Sequence, residues 1–114
     1  MKFPANIHKE LKNYIYAYYD PTESNFLPFY IGRGVGNRAF SHLKESHNPE
    51  VEKILNKLRE LGVKPKIKII IHGLNVDQAK IAETTAIALL GKDNLANLVK
   101  GSRSGFTNAS PREI

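Results

Sequence analysis

Cysteine is absent from this chain, which removes disulfides and thiolate zinc sites together. Its absence points to no particular redox compartment. No apolar run approaches membrane-spanning length. The segment from Met1 to Leu11 is polar and lacks the apolar core of a signal peptide. A soluble, intracellular protein is expected, cytoplasmic or nucleoid-associated. Acidic residues are also scarce, 11 against 17 basic ones, for a net charge of +6 and a pI near 9.6. That balance favours a polyanionic partner, although charge alone fits a merely soluble basic protein equally well. No internal repeat is visible. What remains is 114 residues, of which 41% are hydrophobic. That is one domain with a real but modest core.

Asn13 to Asp20 reads as a tyrosine-rich strand, with Tyr14, Tyr16 and Tyr18 on one face and Ile15, Ala17 and Tyr19 on the other. Pro21 to Pro28 reads as a loop. Phe29 to Arg33 is a second strand, and the pair predicts an antiparallel hairpin. Gly32, Gly34 and Gly36 then demand a tightly turned backbone. Asn37 is a candidate cap for a helix from Arg38 to about Ser46. A second helix starts at Asn48-Pro49 and ends at Gly62, with Val51, Ile54, Leu55, Leu58 and Leu61 at amphipathic spacing. Lys66 to Ile71 is a third strand, broken by Gly73. Asn75 and Gln78 predict a capping box for a last helix, which runs to about Leu90 and stops at Gly91. The expected fold class is α+β, a small three-stranded antiparallel sheet flanked by helices. Residues 1–101 form the expected domain, and 102–114 a polar tail of small residues.

Glu83 carries the sharpest chemical signal. It lies in Ile81-Ala82-Glu83-Thr84-Thr85-Ala86-Ile87-Ala88-Leu89-Leu90, with no other charge between Lys80 and Lys92. Helical spacing places it on a stripe with Ala79, Ala86 and Leu90. A carboxylate on so apolar a helix needs a partner or a cation, unless it faces water. Arg38 and His42 are four residues apart and project from one side of a helix. Such a pair is most often an exposed polar face. Tyr16 and Tyr30 fall on adjacent strands, with Gly32 beside Tyr30 leaving an open patch. Tyrosines in strands usually just pack. The run Gly32-Arg33-Gly34-Val35-Gly36 lacks the spacing and the strand–helix–strand context of a dinucleotide fingerprint. A phosphate held by its backbone N–H groups and Arg33 is a remaining use.

Taken in order, Tyr14-Ile15-Tyr16, Tyr30-Ile31-Gly32, Arg38, His42 and Glu83 resemble the active site of the GIY-YIG nucleases. The resemblance spans roughly Asn13 to Gly101. The run from Tyr30 to Arg38 followed by His42, and the Leu90-Gly91 to Asn97 segment, look most like the branch found in ankyrin- and LEM-domain structure-selective nucleases and their bacterial relatives. Two positions depart from the pattern: Tyr14 stands where the family has glycine, and Arg33 where many members carry lysine.

The resemblance implies a metal-dependent DNA endonuclease with a GIY-YIG fold, cutting duplex or branched DNA, with DNA repair as one setting. It implies one Mg²⁺ or Mn²⁺ on Glu83, no organic cofactor and no membrane. Tyr16 would assist the attacking water, with His42 relaying the proton. Arg38 would neutralise the phosphate, Tyr30 would complete the catalytic set by orienting substrate and neighbours, and Gly32, Arg33 and Asn97 would bind substrate. A phenol has an ordinary pKa of about 10, so neighbours would have to pull Tyr16 down. Two other readings compete: a nucleic-acid-binding module without catalysis, and a basic interaction domain with a structural Glu83–Arg38 pair.

Overall fold

The structure is a computed structural model that describes residues 3–4, 7, 10–24, 27–43 and 46–91. Strand β1 runs Asn13–Tyr19, β2 Pro28–Gly34 and β3 Lys66–Leu74; helix α1 spans Pro49–Leu61 and α2 Val76–Leu90. The sheet is antiparallel throughout, in the order β2-β1-β3. The fold is therefore α+β, as expected.

Both helices begin and end where local chemistry dictates. The Asn48 side chain accepts from Glu50 N and Val51 N at 3.0 and 3.2 Å, with Pro49 in the first turn. Gly62 closes α1 at φ 70°, a left-handed conformation that a side chain disfavours. At α2, Asn75 Oδ1 accepts from Gln78 N at 2.8 Å, and Gln78 Oε1 accepts from Asn75 N at 2.9 Å. That reciprocal box satisfies two otherwise orphaned donors.

Alternation along β1 divides the core in two. Tyr14, Tyr16 and Tyr18 pack with Phe29, Ala39 and the α1 residues Val51 and Leu55. Ile15 and Ala17 pack with Ile31 and with Ala79 and Ile87 of α2. Each fully buried aliphatic side chain contributes about 1.5–3 kcal/mol. Truncating Leu55, 2% exposed, costs about 2–5 kcal/mol.

Two elements differ from the sequence expectation. Gly73, at φ 77°, does not end β3, which continues to Leu74. A bulge opposite the Ile15–Tyr16 step also interrupts the period-two alternation of side chains in β3. Ile67 and Ile69 pack on the tyrosine cluster, while Ile71 is exposed. The predicted helix from Arg38 is instead a 3₁₀ turn, Arg38–Phe40, followed by further turns through Leu43. Asn37 does not cap it; its Oδ1 accepts from Phe3 N at 2.8 Å.

The reason for the shorter turn lies in β1. The Tyr14 hydroxyl accepts the Ala39 N–H at 2.9 Å and donates to Gly36 O at 2.7 Å. The Tyr18 hydroxyl donates to Ala39 O at 2.6 Å and accepts from the His42 backbone N–H. In a helix starting at Arg38, the Ala39 carbonyl and the His42 N–H would be needed for i→i−4 bonds, and Tyr18 takes both.

Candidate active site

The register of the hairpin sets the site. Tyr16 lies directly opposite Gly32, and Tyr14 opposite Gly34. With no side chain at Gly32, the Tyr16 ring lies across β2. A Cβ there would stand 2.5 Å from Tyr16 Cζ and 2.6 Å from its hydroxyl oxygen. A Cβ at Gly34 would stand 2.7 Å from Arg38 Cβ. The two glycines thus let a phenol and a guanidinium approach the edge of the sheet from the same side.

A polar cleft of about 350 Å³ opens at that edge. Tyr16, Tyr30, Arg38 and His42 line it from the tyrosine face; Arg33 and Glu83 reach it from the side that α2 covers. Asn13 and Ser41 complete the rim. The five residues on which the expected chemistry rests, Tyr16, Tyr30, Arg38, His42 and Glu83, therefore share one cavity. Gly32 and Arg33 flank it. Asn97 lies outside the described residues.

Glu83 pairs with Arg33, Nε to Oε1 at 3.2 Å, and not with Arg38 as the structural alternative supposed. The register explains this. Arg33 faces Ile15, whose side chain points to the α2 face, whereas Arg38 sits on the opposite, tyrosine-bound turn. Burial raises the Glu83 carboxyl above its ordinary range, with Arg33 opposing the shift. Arg38 is exposed and makes no ion pair among the described residues.

Tyr16 is 2% exposed, and burial, followed by the neighbouring phenols, pushes its pKa up. This reverses the expectation that the site draws Tyr16 down. Tyr16 is hydrogen-bonded to Tyr30, a bond that raises Tyr16 and lowers Tyr30. Burial nevertheless leaves Tyr30 above the ordinary value; Arg38 lowers it and Glu83 raises it. The His42 ring stands 4.7 Å from that of Tyr30, edge to face. Burial pushes the imidazole down, so it is neutral near pH 7.

Sequence reasoning missed the residues that hold His42. Its Nδ1 lies 2.7 Å from Ser46 Oγ, and Ser46 is buried. Ser46 N donates to Glu52 Oε2 at 2.9 Å, and Glu52 is bridged at 2.7 Å to Arg59. Nothing in the local pattern marks Ser46, because its partner Glu52 lies on the next helix. Tyr14 and Tyr18 did carry a signal: a buried phenol must find a partner for its hydroxyl.

Among the described residues, no three histidine or acidic side chains gather to hold a metal ion. The donor set is one carboxylate. That suits a hard cation of the magnesium type, which keeps several waters and takes further oxygens from phosphate. A cation would also relieve the burial that disfavours the Glu83 carboxylate.

The family model described as LEM-3-like GIY-YIG domain matches residues 24–113 of the chain. The matched stretch holds Tyr30, Arg33, Arg38, His42, Glu83 and Asn97, and begins after β1. No curated protein and no solved structure matches.

Proposed function

This chain belongs to the LEM-3-like GIY-YIG domain family, and on that footing we propose that it is a divalent-metal-dependent DNA endonuclease acting in the cleft beside β2. The family is a nuclease family whose members are generally metal-dependent. One observation carries the finer reading: groups from β1, β2, the 3₁₀ turn and α2 line one cleft, although two of them, Tyr16 and Glu83, are 67 positions apart in the chain.

Hydrolysis of a phosphodiester needs an in-line water, charge neutralisation and an exit for the alkoxide. Arg38, exposed and without a carboxylate partner among the described residues, neutralises the non-bridging oxygens. Glu83 is the residue that would hold Mg²⁺ or Mn²⁺, whose charge, when bound, supports the departing oxygen. Tyr16 works as a neutral phenol. It takes a proton from the attacking water as it passes its own to Tyr30. The Tyr30 proton goes to the neutral His42, whose ring stands against that of Tyr30 and whose Nε2 can accept it when Nδ1–H donates to Ser46. The water oxygen forms the new bond to phosphorus, and the leaving oxygen takes a proton from solvent. A relay of neutral groups needs no resident phenolate, which accords with the raised pKa of Tyr16.

The test is incubation with plasmid and branched DNA. Cleavage is expected with magnesium and none with EDTA. Glu83→Ala is expected to bind DNA without cutting it. A Glu83→Ala protein that cuts at the wild-type rate removes the metal assignment. A wild-type protein that binds but never cuts favours the non-catalytic binding module.

A further inference from the structure

We propose that Tyr14 and Tyr18 are positioning residues, whose hydroxyls fix Arg38 and His42 in the cleft by bonding the backbone of the turn that carries them. The proposal rests on the nuclease reading for what Arg38 and His42 do, but not for how they are held.

The turn from Gly36 to His42 is pinned at both ends from one strand. Tyr14 bonds Gly36 O and Ala39 N and so brackets Arg38. Tyr18 bonds Ala39 O and His42 N and so brackets the approach to His42. Each hydroxyl spends its proton and a lone pair on these contacts. Both rings are fully buried and 0% exposed, and both lie in a continuous aromatic row. Phe3, Tyr14, Tyr16, Tyr18 and Phe29 follow one another at centroid spacings of 5.9–6.0 Å. Burial raises the pKa of both phenols, so each keeps the proton it donates.

The consequence is a division of labour along β1. Tyr16, the middle ring, reaches the cleft. Tyr14 and Tyr18, the outer rings, do not line it. A short 3₁₀ turn is a poor platform for two functional side chains, because it lacks the continuous i→i−4 ladder of a helix. Bonds to a central strand supply the missing rigidity, and a site displaced by about 1 Å loses much of its rate. The residue at position 14, where the resembling family carries glycine, thus acquires a specific task in this chain.

The experiment uses Tyr14→Phe and Tyr18→Phe, which keep the ring and remove only the hydroxyl. Amide hydrogen exchange is read by NMR, and cleavage under saturating DNA. Tyr14→Phe is expected to speed exchange at Ala39 at least tenfold, and Tyr18→Phe at His42, with β1–β3 ladder amides unchanged. The kcat of each variant falls by an order of magnitude or more at constant KM. In an Arg38→Ala background, Tyr14→Phe has no further effect on kcat, which a general loss of stability would not produce. Unchanged protection at Ala39 and His42 overturns the proposal. So does a kcat loss that persists in full without Arg38. If the wild-type protein does not cut, the nuclease reading fails, and the exchange data alone decide whether the hydroxyls hold the turn. Should Tyr14→Phe fail to fold, 3-fluorotyrosine at position 14 weakens the hydroxyl as an acceptor while keeping it, and the same amide is read.

Discussion

At the β2 edge of the sheet, Gly32 and Gly34 strip the backbone of side chains, and two large polar groups move into the space. At the β3 edge, Lys66, Lys68, Ile70 and Ile71 crowd outward into solvent. Both edges flank the same central strand, β1. Their fates differ because one edge is covered by the protein's own side chains and the other is guarded by charge. Lysines on an exposed edge discourage pairing with another chain. Glycines on a covered edge create room. The absence of side chains at two positions thus gives the Tyr16 ring and the Arg38 side chain the space they occupy.

Substitutions at the two edges should therefore differ in kind. Tyr16→Phe is expected to have the largest effect, lowering the single-turnover rate about 10²–10⁴-fold with DNA affinity retained. A wild-type rate would take the phenol out of the chemistry. Gly32→Ala comes next. Its Cβ would meet the Tyr16 ring at 2.5 Å, so denaturation should report a loss of about 1–3 kcal/mol and activity should fall with it. Ile70→Ala on the opposite edge is the control, expected within about 0.5 kcal/mol of wild type. Equal losses at the two positions would erase the contrast.

A smaller effect is expected from pH. Burial holds the His42 pKa below its ordinary value, with Glu52 opposing and His47 adding to the shift. The unfolded chain then binds a proton at His42 before the folded one does. Its contribution to stability is complete above about 6.5 and is lost as pH falls from there through the lower folded value. Thermal melts across that window should show a decline that His42→Gln flattens. The carboxylates held low by their partners, Asp20 and Glu52, titrate in a separate window below about 4.5. The smallest effect belongs to Lys66→Ala. It should leave cleavage at low salt unchanged and reduce the salt dependence of DNA binding by about one phosphate contact. No change in slope would remove the β3 edge from the DNA footprint.

The helices and the sheet were legible because their signals are local. Asn48-Pro49, Gly62, Asn75 with Gln78, and Gly91 mark ends through bonds within a few residues. The 3₁₀ turn was not legible for the opposite reason. Asn37 carries a capping signal, but Phe3 takes its side chain, and two tyrosines more than 20 positions upstream claim the turn's backbone. Tertiary partners overrode local preference there. In the site, the gathering of Tyr16, Tyr30, Arg38, His42 and Glu83 was anticipated from their order. Partner choice and protonation were not. Which arginine meets Glu83 depends on strand register, and the raised Tyr16 pKa depends on packing depth. Neither is written in spacing.

The order in which the cleft receives its parts has a biological corollary. Phenols, guanidinium and imidazole all come from residues 16–42, whereas the acidic group arrives with α2. A nascent polypeptide emerging from the ribosome therefore carries an incomplete blade. Under the proposed mechanism it stays harmless to nearby nucleic acid until synthesis passes position 83 and that helix docks.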